Sequence, residues 1–365
     1  MAISDDLIKL IYETEIKPKF FNKITSVEKP TSVFLAGQPG SGKGNLSDVT
    51  INQFNGNAVV IDIDNLRQHH PKIAEVKDQY TLNVDTRKWK EMLIADCIKE
   101  KKNIIFDGTL GGTIKYIEAD IQNVKDNGHK IQINALAVND SVSKLGFTSR
   151  FEKQVLESGN GRPVDLSFHN DCYKNIPNNL TTLIGRDLVD EMNIYKRNHY
   201  TDKQSLLKNF SKQDLRFKKD RPIYEFDKER VRPFSNSELE HLNKWHEKTK
   251  VMAEQNGNLE NLKGLIVSSD EHLSSYVKSQ ISDFTGSRTD LLNKHLKEAI
   301  SNNATRTAVS CIMKGAQLSS VKPEDFKGLQ QKEEIALKTH LINATDKFYG
   351  LEKNKGLNKE NSIKL

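Results

Sequence analysis

The stretch SVFLAGQPGSGKGNL, Ser32 to Leu46, sets Gly37, Gly40, Gly42 and Lys43 in the spacing G-x-x-x-x-G-K. An apolar run precedes it and a helical pattern follows, the context in which this spacing has chemical meaning. Successive backbone N–H groups and a helix N-terminus then surround a phosphate, and the lysine adds a point charge. Glycines keep side chains out of the way of that approach. The residues expected to bind the phosphates of ATP are Gly37, Gln38, Pro39, Gly40, Ser41, Gly42, Lys43, Gly44 and Asn45. One position is unusual. After the lysine a Ser or Thr hydroxyl normally joins the ligands of Mg²⁺, and here Gly44 has none. The backbone cradle does not depend on that hydroxyl, and Mg²⁺ readily keeps its waters. The metal can therefore be held through water, through Ser47 or through another nearby oxygen.

Adenylate and related nucleoside-monophosphate kinases carry a similar G-x-P-G-x-G-K-G loop, so Gly44 suits a small-molecule kinase better than a GTPase or a motor ATPase. Three further groups could complete such chemistry. In VVIDIDNLRQHHP, Asp62 and Asp64 lie two apart in what reads as a strand, which points both to one face. One carboxylate could accept the proton of an attacking hydroxyl. The other could bind Mg²⁺, fix a loop or simply cap the next helix. His69 and His70 precede Pro71 and read as turn-packing residues. In IIFDGTLGG, Asp107 and Thr109 close another apolar run. An acid there could bind sugar or ribose hydroxyls or ligate the metal. Arg150, in TSRFEKQVLE, and Arg162, in GNGRPVD, have the side chains that clamp a transferring phosphoryl group. In a chain with 55 Lys and Arg, two arginines alone carry little weight.

These residues need a scaffold that gathers them. Short apolar runs at 32–36, 58–64, 103–108, 131–138 and 192–197 read as strands. Amphipathic helical patterns separate them, as in DTRKWKEMLIADCIKEKK and SVSKLGFTSRFEKQVLES. Alternating strands and helices predict an α/β fold: a P-loop kinase-type parallel sheet with flanking helices, its chemistry at the carboxyl ends of the strands. Residues 1–30 read as N-terminal helices, 31–205 as the P-loop domain, 206–350 as a mainly helical C-terminal region and 351–365 as a polar tail.

The whole chain narrows the classes. A length of 365 residues allows one large domain or two ordinary ones. A net charge of +6 favours anionic ligands in general and does not point to nucleic acid. Three scattered cysteines, Cys97, Cys172 and Cys311, have neither metal-ligand spacing nor an even count, so they read as reduced structural thiols. No apolar run reaches the roughly 20 residues of a membrane span, and the N-terminus lacks the pattern of a cleaved leader. The expected location is cytoplasmic, with secretion by a route that needs no cleaved leader left open.

The pieces GQPGSGKG, IDIDNLRQHHP, FDGT, RFE and GRPVD follow one another at spacings that resemble the zeta-toxin family of P-loop kinases, over about residues 30–200. Members look like GQPGSGK[ST], IDxDxxRxxHP, [EI]EGT, RYE and Arg-x-[TP]. The resemblance implies ATP-dependent phosphorylation of the amino-sugar 3′-hydroxyl of UDP-N-acetylglucosamine, with Mg²⁺, and a small helical antitoxin as partner. By position it makes Lys43 the ligand of the β/γ-phosphates, Asp64 the general base, and Arg150 and Arg162 phosphate clamps. Asp107 would contact the sugar with Thr109, and Arg67 and Arg87 would support the site. Three residues depart from the pattern: Gly44 lacks the hydroxyl, Asp107 replaces Glu, and Gly111 stands about where members carry Arg. The last two bear on the acceptor, and relatives of this fold act on other acceptors, including dinucleotides and antibiotics. A non-catalytic nucleotide-binding module whose C-terminal helices bind a partner is the alternative from another class.

Overall fold

Six strands make one sheet in the order β2-β3-β1-β4-β5-β6. They are β1 (Thr31–Ala36), β2 (Val59–Ile61), β3 (Ile104–Phe106), β4 (Lys130–Ala137), β5 (Glu191–Arg197) and β6 (Gln204–Ser211). The first five run parallel; β6 pairs antiparallel with β5 at the edge. This is a computed structural model, and it describes residues 3–76, 79–163, 165–198, 203–232, 234–259, 288–301, 305–313, 316–327 and 329–348.

The central strands are apolar throughout because both faces are covered. Phe34 and Ala36 of β1 pack with Phe106, Ile131 and Ile133 in one buried cluster. Their neighbours Val33 and Leu35 turn the other way, into a second cluster with Leu46, Ile105, Leu136 and Val142. The period-two alternation of a strand thus feeds two cores. Helices α1 (Asp5–Ile11) and α2 (Lys17–Phe20) are joined by a π-helical segment, Tyr12–Ile16. Next come α3 (Lys43–Gln53), α4 (Ile63–Arg67), α5 (Asn83–Lys99), α6 (Ile114–Asp126), α7 (Asp140–Ser158) and α8 (Leu166–Gly185). Then follow α9 (Lys212–Phe217), α10 (Asp220–Val231) and α11 (Asn236–Asn256). The N-terminal helices are fastened to α5: Trp89 Nε1 donates to Ile8 O at 2.9 Å and Tyr12 Oη to Asp96 at 2.6 Å.

The expected parallel sheet is present, with four differences. The strand read at 58–64 stops at Ile61, and Asp62 caps a helix that begins at Ile63. Asp62 and Asp64 therefore do not share a strand face. Nor is that strand beside the phosphate loop, since β3 lies between β2 and β1. The antiparallel β6 lies mostly in the region expected to be mainly helical; its outer face is solvated, so no apolar alternation marks it. Helix α8 carries Pro177 inside it, which masks its helical pattern.

The chain divides into two compact units, 1–269 and 270–365. In the second, helices over Arg288–Ser301, Thr305–Met313 and Gln331–Phe348 bury Leu296, Ile300, Ile312, Leu337 and Leu341 together. The polar tail expected at 351–365 lies outside the described residues. Among the described residues no helix is long and apolar enough to cross a membrane. Cys97, Cys172 and Cys311 are buried.

Candidate active site

The phosphate loop leaves β1 at Ala36 and enters α3 at Lys43, with Gly42 at a φ of 97° as the left-handed residue before the helix. Gly37 N donates to Thr109 O at 3.1 Å, tying the loop to the end of β3. Gly40 has a second reason to be glycine: a Cβ there would lie 2.0 Å from Ser143 O, and one on Gly146 would lie 2.3 Å from Gly40 O. Two glycines thus let the loop rest on the backbone of α7. Gln38 is a buried strut, its Nε2 donating to Val138 O at 2.8 Å and Ser143 Oγ at 3.1 Å. Arg197 Nη1 donates to Gly40 O at 3.3 Å and Gln204 Nε2 to Gly42 O at 3.2 Å. Sequence reading missed these two braces, the second because it stands on β6. The opposite side of the loop is open. A Cβ on Gly44 would meet nothing within 4 Å. Ser41 Oγ is buried without a hydrogen-bond partner. Lys43 makes no ion pair among the described residues, although its charge is felt at Asp62, Asp64 and Asp107. An orphaned buried hydroxyl beside an unpaired ammonium fits an anion. Pro39 is half-buried in the loop, and Asn45 is exposed on the first turn of α3.

The carboxylates converge from two strand ends. Asp62 caps α4, its Oδ1 accepting from Asp64 N at 2.9 Å, and burial raises its carboxyl above the usual range. Asp64, in the first turn of α4, is paired with both Arg67 and Arg162. Burial alone would raise its carboxyl. The hydrogen bond and charge of Arg162, with Arg67 and Lys43, outweigh burial and hold it below the usual range. Arg67 is buried beneath the ring of Tyr80, 5.2 Å away, so its end of the pair is fixed. Asp107 is shifted upward by burial, against the opposing pull of Lys43 and a hydrogen bond from Ser47.

The arginines come from α7 and the loop after it. Gly159 ends α7 in the left-handed region, and Gly161 lies against Phe151, where a Cβ would come within 2.6 Å of the ring. That return places Arg162, whose N–H donates to Gln154 Oε1 at 3.0 Å, over Asp64. Arg150 is near enough that desolvation and the like charge of Arg162 lower its guanidinium, against the pull of Asp64. The guanidinium of Arg87, on α5, lies 5.6 Å from the ring of Tyr116 on α6. Thr109 is occupied by the turn, its Oγ1 accepting from Gly111 N at 3.1 Å and from Cys172 Sγ at 3.7 Å. Gly111 has no room for a side chain, because a Cβ would lie 2.6 Å from Cys172 Cα. His70 packs in the core, 3.2 Å from Asp85, and His69 contacts Glu15 at 3.1 Å, as turn-packing residues should. Beside Asp107 a cavity of about 190 Å³ opens between Ile61, Ile63, Phe106 and Ile117, with the Lys90–Asp120 ion pair on its wall.

Comparison with known proteins gives a consistent result. The zeta toxin family profile matches residues 17–207, a little more than half the chain. The zeta toxin of Enterococcus hirae is 29% identical over 179 residues, which cover 47% of this chain and 62% of that protein. The PezT toxin of Streptococcus pneumoniae is 25% identical over 179 residues, which cover 47% of this chain and 70% of that toxin. The chain therefore spans less than two thirds of the Enterococcus toxin's length. A solved structure from the PezAT chromosomal toxin-antitoxin system of Streptococcus pneumoniae superposes with a TM-score of 0.59 at 20% identity. It covers 69% of this chain and 98% of that one, a likeness of fold.

Proposed function

The chain belongs to the zeta toxin family, and from that premise we propose that it is an ATP-dependent kinase of a small-molecule hydroxyl. The observation that carries the reading is the pairing of Asp64, two strands away from the phosphate loop, with Arg162 from the loop after α7, close enough to Lys43 that the lysine charge helps to hold its carboxyl down. The γ-phosphoryl group passes to the acceptor oxygen: the new O–P bond forms as the bond to the β–γ bridging oxygen breaks and ADP leaves. Asp64, ionised at neutral pH, takes the hydroxyl proton and releases it to solvent. Lys43, Arg150 and Arg162 neutralise charge on the transferring group, and the loop holds the donor in line. Arg162, which pairs with Asp64, would turn to phosphate when ATP binds.

The acceptor class proposed is a nucleotide sugar such as UDP-N-acetylglucosamine, bound beside Asp107 in the cavity described above. A second reading, another nucleotide or dinucleotide acceptor, is favoured by one observation: Cys172 leaves no space for a cationic side chain at Gly111. The relatives are named as toxins, and one belongs to a toxin-antitoxin system, which supports an antitoxin as this protein's partner. The test is to incubate the chain and ATP with a metabolite extract and follow products by mass. One metabolite gaining a single phosphoryl group, and no product with Lys43→Ala, is the expected result. ATP binding without turnover of any acceptor would instead favour a non-catalytic nucleotide-binding module.

A further inference from the structure

Behind the phosphate loop runs a row of polar side chains that the transfer chemistry does not use. Ser143, in the first turn of α7, and His169, in the first turn of α8, are both fully buried. Ser143 Oγ lies 2.9 Å from His169 Nε2 and accepts from Gln38 Nε2 at 3.1 Å. The hydroxyl can give its proton to the ring or take one from it, and either way it keeps a lone pair for Gln38. On its other side His169 Nδ1 lies 3.3 Å from Asn170 Oδ1 and 3.9 Å from Asp140 Oδ1. The rings of Phe147, 5.3 Å away, and Tyr173, 6.5 Å away, flank the imidazole. Serine, histidine and aspartate in a row also make up hydrolytic triads, but Ser143 is 0% exposed and out of a substrate's reach.

The loop leans on this row in two places. Gln38 is buried, and its Oε1 has no hydrogen-bond partner among the described residues. Its amide is therefore oriented from the Nε2 side, by Val138 O and Ser143 Oγ. Gly40, two residues on, rests on Ser143 O so closely that a Cβ would lie 2.0 Å from it. A serine inside a helix ordinarily turns back to its own helix carbonyls, and Asn139 O and Asp140 O lie 3.1 and 2.8 Å from Ser143 Oγ. The imidazole adds an anchor from a second helix, fixing the oxygen where Gln38 meets it.

We infer that His169 is a positioning residue of the ATP site, holding the phosphate loop through Ser143 and Gln38. The inference rests on the kinase reading above. Backbone N–H groups favour a phosphate most when they are already aimed at it, so a loop free to shift binds ATP less tightly. His169 touches neither nucleotide nor acceptor; its effect reaches the site along these two side chains.

The test is calorimetric titration of the full chain with ATP, with the denaturation midpoint of each variant as the folding control. Two replacements separate the ring nitrogens. The amide of His169→Gln reaches the place of Nε2 and should bind ATP as wild type does. The amide of His169→Asn reaches only the place of Nδ1 and should weaken ATP binding by about 2- to 10-fold, the net contribution of one hydrogen bond. Ser143→Ala should weaken it as much. Ser143→Ala combined with His169→Asn should bind no worse than either alone, since both break one path. Wild-type ATP affinity in folded His169→Asn would overturn the inference. So would wild-type affinity in Ser143→Ala, which removes only a hydroxyl, or losses that multiply in the double variant; in these cases the nucleotide site would stand. Absence of ATP binding by the wild-type chain would overturn both readings.

Discussion

Asp64 is a carboxylate held ionised by its neighbours against the effect of its own burial. Arg162 is the strongest of them. Because the folded value is depressed, the base stays ready as pH falls through the ordinary carboxylate range, so the acid limb of the rate profile should lie below that range. Removing Arg162 hands control to burial. With Arg162→Ala the acid limb should move up by about one pH unit or more, the size of effect one nearby opposite charge exerts. A limb that stays in place in kcat against pH would separate Arg162 from Asp64. Gly111 makes a second prediction at this scale. Gly111→Ala puts a methyl against the backbone of α8 and should lower stability by about 1–3 kcal/mol, the usual effect of overpacking, read from a denaturant titration. Much of this site was legible as residues. The glycines, Lys43, Asp64, Asp107 and the two arginines stand in recognisable local strings. The brace from Gln204 was hidden because it acts from a strand that the sequence does not announce.

The strands carry their own titratable pin. His129, just before β4, is buried and its Nδ1 lies 2.9 Å from Ser32 Oγ on β1. Burial pushes its imidazole down to about 4. The folded state thus favours neutral His129, and the resulting stability is present above the unfolded value near 6.5 and is lost as pH falls from there toward 4. Its full extent is on the order of 3 kcal/mol. His129→Gln should flatten this part of the stability–pH curve, followed by denaturant melts between those values. An unchanged slope would place the titration elsewhere. The elements that sequence reading found, β1, β4, α5 and α7, are those whose apolar spacing is dictated by a core on both sides or on one stripe. The elements it missed have weaker patterns for physical reasons. In β6 only Phe210 is fully buried, α8 has an internal proline, and the acidic cap Asp62 looks like the last residues of a strand.

The folded unit that holds the site extends past the family match at residue 207. Helix α11 lies on α7: Trp245 Nε1 donates to Ser149 Oγ at 3.0 Å, and Asn256 Nδ2 to the buried Glu152 at 2.7 Å. The same Trp245 ring sits 4.7 Å from the Arg197 guanidinium that braces Gly40. Helix α10 adds the fully buried Phe226 to the main core. A chain ended at residue 207 should therefore unfold at lower denaturant than one ended at 259. The longer piece should bind ATP like the full chain, since every site residue lies within it; equal midpoints for the two would contradict this. The sequence after residue 206 reads as helical but gives little hint of that support, because α10 and α11 are largely solvated and only scattered residues reach inward. The central claim, that Asp64 is the base of a phosphoryl transfer from ATP, is tested most directly by Asp64→Ala assayed for both ATP binding and transfer. Bound ATP at wild-type affinity, with transfer down by about 100- to 10,000-fold as for loss of a general base, is the expected result. Transfer at the wild-type rate would contradict it.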